Sequence, residues 1–242
     1  KLYVPLPAVG LVMSAASLTT LLAVLSYPRL IHRFTNFRVM LTVLLATSAA
    51  QLLLGLVNGK GAVIILFIAT TVGAMVLGIN VDVFLEDISD DAHTGRLRTT
   101  LMTWANAALV AAPLAAGWLA AGERYRLVFL ASAAVLAAGA LTLKASSYRM
   151  RDHYRYRSRP VAVVLTAVRN NPKLRKIFAV AFTLQAFYCL MVLYLPVYLH
   201  QQLGFPWTTI GMMLTVMLLP FVILELPAGK AADRFLGEKE II

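Results

Sequence analysis

Cysteine occurs once in this 242-residue chain, and charged residues make up only 14% of it. The single thiol, Cys189, excludes a disulfide framework and a cysteine-based zinc site, since each needs more than one sulfur. The histidines, His32, His93, His153 and His200, are scattered without ligand spacing, so neither a metal nor a cofactor is expected. No segment near Lys1 has the basic start and small-residue exit of a cleavable signal.

The charge that is present avoids whole tracts. No Lys, Arg, Asp or Glu falls in 2–28, 39–59, 61–81, 99–122, 127–143 or 177–224. Soluble domains are about 45–50% apolar and about 25% charged, whereas this chain is 60% hydrophobic. A membrane-spanning helix needs roughly 20 apolar residues, so five of the tracts hold one span each. The sixth is too long for one, and HQQLGFP (200–206) divides it with Gly204 and Pro206. Seven helices are expected, at about 8–30, 38–57, 62–84, 97–121, 126–146, 175–199 and 207–232. The fold class is an all-α, polytopic membrane helical bundle.

Basic residues mark cytoplasmic loops. The segments 29–38, 86–98, 144–176 and 229–242 hold 18 of the 22 Lys and Arg, and the alternate set holds 4. The amino end is thus expected outside and the carboxyl end in the cytoplasm, in a cell or inner membrane. The net charge of +11 faces anionic lipid of the inner leaflet, a surface that attracts juxtamembrane Lys and Arg. RMRDHYRYRSRP (149–160) interleaves Arg and Tyr as single-stranded nucleic-acid grooves do, but its place beside a span suits lipid instead, and no nucleic acid is expected. VAVVLTAVRNNPKLRK, which follows Pro160, reads as a short helix lying in the interface.

A repeat runs through the chain. With an offset of 201, GLVMSAASLTTLLAVLSYPRLIHRFTNFR, from Gly10, lies over GMMLTVMLLPFVILELPAGKAADRFLGEK, from Gly211, without a gap. Arg33-Phe34 falls on Arg234-Phe235, and Arg29 on Lys230. Long-period similarity of this kind marks a fold built from two related halves.

The second copy, GKAADRFLGEK, resembles the loop motif of the major facilitator superfamily: Gly, three residues, Asp-Arg, one residue, Gly, then basic residues. Gly229, Asp233, Arg234 and Lys239 match, and Gly237 stands one place late. The first copy, PRLIHRFTNFR, keeps Arg33 and Arg38 but has Pro28, His32 and Asn36 in place of Gly, Asp and Gly. The resemblance implies two helical bundles, with the seven helices matching helices two to eight of twelve and the chain truncated at both ends. The expected parts are an N-terminal bundle lacking its first helix (1–146), a basic linker with a short interfacial helix (147–174) and the start of a C-terminal bundle (175–242). The motif residues, with Arg33, would form a conformational latch on the inner face.

Other residues carry functional readings. NAALVAAPLAAGW (106–118) resembles the family's fifth-helix antiporter motif, with Ala112, Pro113 and Gly117 as a helix-bending, close-packing face and Ala at three of the Gly positions. Glu225 and Asp82 are acids within or near spans, where ionisable groups are costly. Each is a candidate for proton coupling or a structural brace, and Asp82 could equally pair with Arg33, Arg96 or Arg98. The run Glu86 to Asp91 reads as a solvated loop. Asn106, Gln185 and Tyr188 lie near mid-depth on helices that in the family line the central cavity, although each could instead bond a neighbouring backbone. No charge sits at that depth.

The function implied is secondary active transport of a small solute by alternating access, proton-coupled, with efflux of drug-like or amphipathic compounds as the first choice. A monomer is expected, and no enzyme activity. The alternatives are a major-facilitator-type importer of sugars or other metabolites, and a seven-helix receptor. A retinal protein is excluded, because no Lys stands between Lys176 and Lys230.

Overall fold

The computed structural model describes residues 6–88, 94–145 and 161–231, and no strand occurs among them. The helices are α1 (Leu6–Arg33), α2 (Asn36–Leu56), α3 (Lys60–Ile88), α4 (Thr94–Leu119), α5 (Tyr125–Ala145), α6 (Val161–Asn170), α7 (Pro172–Gln201) and α8 (Trp207–Ala231). Each expected span has its helix, and α6 is the short helix expected after Pro160. Two boundaries differ. PKLRK does not belong to the short helix: Asn171 ends it and caps the next, its Oδ1 accepting from the backbone N–H of Lys173 (3.0 Å) and Leu174 (3.4 Å). Pro172, whose missing N–H costs nothing at a first helical position, then opens α7. Likewise Glu86 and Asp87, expected in a loop, lie in the last turn of α3, because no Gly or Pro interrupts the sequence there.

Six of these helices, α1 to α5 and α7, are long and apolar enough among the described residues to cross a membrane; the described apolar part of α8 covers Trp207–Pro220. Their outer surfaces agree. Leu11, Ile65 and Phe182 are 73, 69 and 76% exposed, with many large apolar neighbours equally uncovered, and such faces suit hydrocarbon rather than water.

The chain divides into two compact units, Lys1–Ala105 with Gly122–Tyr156, and Asn106–Ala121 with Arg157–Ile242. The division falls inside α4. In the first unit α1 packs on α3, and α2 packs on both α3 and α5. Ala16, Ala23, Tyr27 and Ile31 recur at helical spacing along α1, and Tyr27 and Ile31 join Val39 and Val76 in a buried cluster. Small residues set the close approaches, as is usual between membrane helices. A Cβ added at Gly55 would stand 3.2 Å from Leu130, and one at Gly73 would land on the Thr47 hydroxyl. Ser48 Oγ donates across to the Ala133 carbonyl at 2.9 Å.

In the second unit α7 packs on α6 and α8. Gly204, at φ +70°, gives the α7–α8 turn a backbone shape that costs other residues about 1 kcal/mol or more. His200 closes that turn, its Nδ1 lying 2.9 Å from the Phe205 carbonyl oxygen, to which the ring can only donate. The same ring packs against Trp207, 4.3 Å between centroids.

Candidate functional site

The α1–α2 connection is short, and its geometry is fixed from both sides. Arg33 ends α1, Phe34 and Thr35 make the turn, and Asn36 opens α2. Thr35 Oγ1 accepts from the Arg38 backbone N–H at 3.3 Å and caps α2. Beneath the turn lies a buried polar network. The Tyr27 hydroxyl donates to Asn80 Oδ1 at 2.7 Å and stands 3.2 Å from Asn36 Oδ1. Asn36 Nδ2 donates to the Asn80 carbonyl at 3.4 Å, and Asn80 Nδ2 to the Val76 carbonyl at 3.0 Å. Asn36 and Asn80 are 1% and 0% exposed, so each polar atom left without a partner there would cost roughly 1–3 kcal/mol. Above this network the Arg33 side chain is exposed, its guanidinium carbon 5.8 Å from the centre of the Phe34 ring.

The second assembly joins α4 to α8. Gly117 is buried, and a Cβ built on it would meet the Trp207 carbonyl at 2.6 Å and the Gly211 Cα at 3.2 Å. A Cβ on Gly211 would stand 2.5 Å from the Pro113 carbonyl. Thr215 Oγ1 donates to the Val110 carbonyl at 3.0 Å, which ties the two helices one turn further along. Two helices touch backbone to backbone here because neither presents a side chain.

A family profile described as Major Facilitator Superfamily matches residues 2–242. The chain belongs to the major facilitator superfamily. No curated protein and no solved structure matches it. Membership makes it a multi-pass membrane transporter.

The other expected site residues of this major facilitator protein are distributed as follows. Gly229 lies in the last turn of α8 and Glu225 one turn earlier. Asp233, Arg234 and Lys239 lie outside the described residues. Asp82 is on α3, exposed, two residues past the buried Asn80; the side chains of Arg96 and Arg98 lie outside the described set. Asn106 on α4 is half-buried, Gln185 on α7 is exposed, and Tyr188 is half-buried with its ring edge-on to Phe187 at 6.3 Å. Ala112 is exposed and Pro113 half-buried.

Two further polar side chains behave differently from the rest. Thr19 does what a hydroxyl within a span ordinarily does, donating to the carbonyl one turn back, that of Ala15, at 2.8 Å. Thr20 Oγ1 and Gln51 Oε1 are buried with no hydrogen-bond partner. Sequence reasoning missed the Tyr27–Asn36–Asn80 network altogether. Asn36 was visible only as a residue standing where the loop motif wants glycine. The available signal was Tyr27, a phenol on the buried stripe of a span, where its hydroxyl must find a partner.

Proposed function

We propose that this chain works as a secondary active transporter that carries a small solute by alternating access, coupled to protons, with export of drug-like or amphipathic compounds as the transported class. The observation that carries the reading beyond the family is the contact of Pro113 and Gly117 with Gly211. A smooth, side-chain-free crossing at a proline, whose ring removes one helical hydrogen bond, is suited to helices that tilt against each other, and it coincides with the antiporter-like motif. Residues 1–146 would form one bundle, 175–242 the start of the other, and the basic segment 147–174 would ride on anionic lipid at the inner face. Gly229, Asp233, Arg234 and Lys239, with Arg33, would latch that face until the bundles rock. Glu225 and Asp82 are the acids available to take up and release the coupling proton. Asn106, Gln185 and Tyr188 would meet the solute; neutral polar groups at that depth favour amphipathic over strongly anionic cargo.

The test is uptake by the full-length protein in proteoliposomes under an imposed pH gradient, with a panel of amphipathic dyes set beside sugars and phosphate esters. Dye accumulation that collapses when the gradient is dissipated is the expected result. Gradient-independent equilibration of a sugar would replace this reading with that of an importer; Ala at three of the motif's Gly positions (108, 112 and 116) makes the match to the antiporter motif a partial one.

A further inference from the structure

We infer that Tyr27, Asn36 and Asn80 form a clasp that positions Arg33, doing for the first inner loop what the missing Asp and Gly of its degenerate motif would otherwise do. The inference rests on the reading of Arg33 as a latch residue. The motif's second Gly is replaced by Asn36, and that side chain is not a bystander: it is 1% exposed and bonded to the α3 backbone. The Tyr27 hydroxyl, on α1, reaches the side-chain oxygens of both asparagines, on α2 and α3. One phenol thus ties the ends of three helices together.

Arg33 lies between two tethered points, six residues after Tyr27 and three before Asn36. Only Phe34 and Thr35 separate α1 from α2, and Thr35 is itself held as the α2 cap. The guanidinium therefore has a rigid base, while its own end is exposed beside the Phe34 ring. A flexible loop would lose entropy each time a latch closed; a clasped one has already lost it. The bonds described for the clasp join α1, α2 and α3, whereas Gln185 and Tyr188 belong to α7. Its effect should fall on the balance between inward- and outward-facing states.

That balance can be read without knowing the solute. Nitroxides at Thr42→Cys and Lys173→Cys, both exposed positions, in the full-length protein carrying Cys189→Ser, give an inter-bundle distance distribution. Tyr27→Phe keeps the ring and its packing, so it should fold; Asn36→Ala provides a second cut. Each should change the ratio of the two populations by about three- to tenfold, the range that follows from one buried hydrogen bond. Arg33→Ala should change it in the same direction, and adding Tyr27→Phe to Arg33→Ala should do nothing more. If Arg33→Ala shifts the ratio and the clasp variants do not, the clasp is packing only and the inference fails while the latch stands. A lower melting temperature for Tyr27→Phe with an unmoved ratio says the same. If the effects of Tyr27→Phe and Arg33→Ala simply add, the clasp does not act through Arg33 and the inference fails. A silent Arg33→Ala removes the latch reading, and the inference with it.

Discussion

Gly117 of α4 and Gly211 of α8 face each other so closely that a methyl on Gly117 would sit 3.2 Å from the Gly211 Cα and 2.6 Å from the Trp207 carbonyl. The obstacles are backbone atoms, which cannot rotate away as a side chain could. Gly211→Ala, whose Cβ would stand 2.5 Å from the Pro113 carbonyl, should therefore push the helices apart and cost about 1–3 kcal/mol. The helix-interior control is Gly78→Ala, where nothing lies within 4 Å. There the gain in helix propensity, up to about 1 kcal/mol, should leave the protein as stable or more so. Thermal unfolding in one detergent compares the two, and equal melting temperatures would contradict the crossing.

The same geometry at α2–α3 makes a sharper prediction, because the obstacle is a side chain. A methyl at Gly73 collides with the Thr47 hydroxyl and lies 3.1 Å from Thr47 Cγ2. Gly73→Ala should lower the melting temperature, and Thr47→Ala added to it should recover much of the loss, since the hydroxyl and Cγ2 are gone and only the Thr47 Cβ, at 3.1 Å, stays close. The double-mutant coupling should be about 1 kcal/mol or more. Strict additivity would mean that the two residues do not touch.

The helices were legible in the sequence because the cost of burying charge in hydrocarbon clears whole tracts of Lys, Arg, Asp and Glu, and the gaps can be read directly. The repeat was read in the sequence too, at an offset of 201 that lays Gly10 on Gly211. The polar network was not. Tyr27 and Asn80 are 53 residues apart and Asn36 and Asn80 are 44 apart; what joins them is the relative rotation and depth of α1, α2 and α3, which no local pattern states. Asn171 shows the same limit on a small scale. NNP reads as a break, but only the cap geometry decides that KLRK belongs to the following helix.

Thr20 tests whether the first unit's unpaired polar atoms are structural. Its hydroxyl is buried without a partner, and valine has nearly its shape. Thr20→Val should leave stability unchanged or raise it, by up to about 1–2 kcal/mol, with transport unaffected. A melting temperature that rises while transport falls would place Thr20 on the solute path.

Glu225 and Asp82 can be separated by what each drives. Glu225 lies on α8, with no other acid in that helix, whereas Asp82 is exposed near the end of α3. Glu225→Gln should abolish gradient-driven accumulation while leaving solute exchange across the membrane intact, because the carrier can still rock with a permanently neutral group. Asp82→Asn should preserve both. Proton coupling retained in Glu225→Gln would leave that residue a brace for the end of α8 and pass the coupling role to Asp82 or to another group.

The latch makes the last prediction. Arg234 and Arg33 occupy matching places in the two copies of the loop, but only the second copy retains the Asp, at 233, that accompanies the Arg in the full motif. Arg234→Ala should therefore slow turnover more than Arg33→Ala, with the half-saturating solute concentration unchanged in both, since neither is among the residues proposed to meet the solute. Arg234→Lys should restore turnover only in part, because a lysine supplies one point charge where the guanidinium offers a planar fork to a carboxylate. Initial rates in proteoliposomes over a range of solute concentrations distinguish the outcomes. A residue that merely ended its helix at the water boundary would change the melting temperature and leave turnover alone; a residue that holds one face of the carrier shut must change how often that face opens.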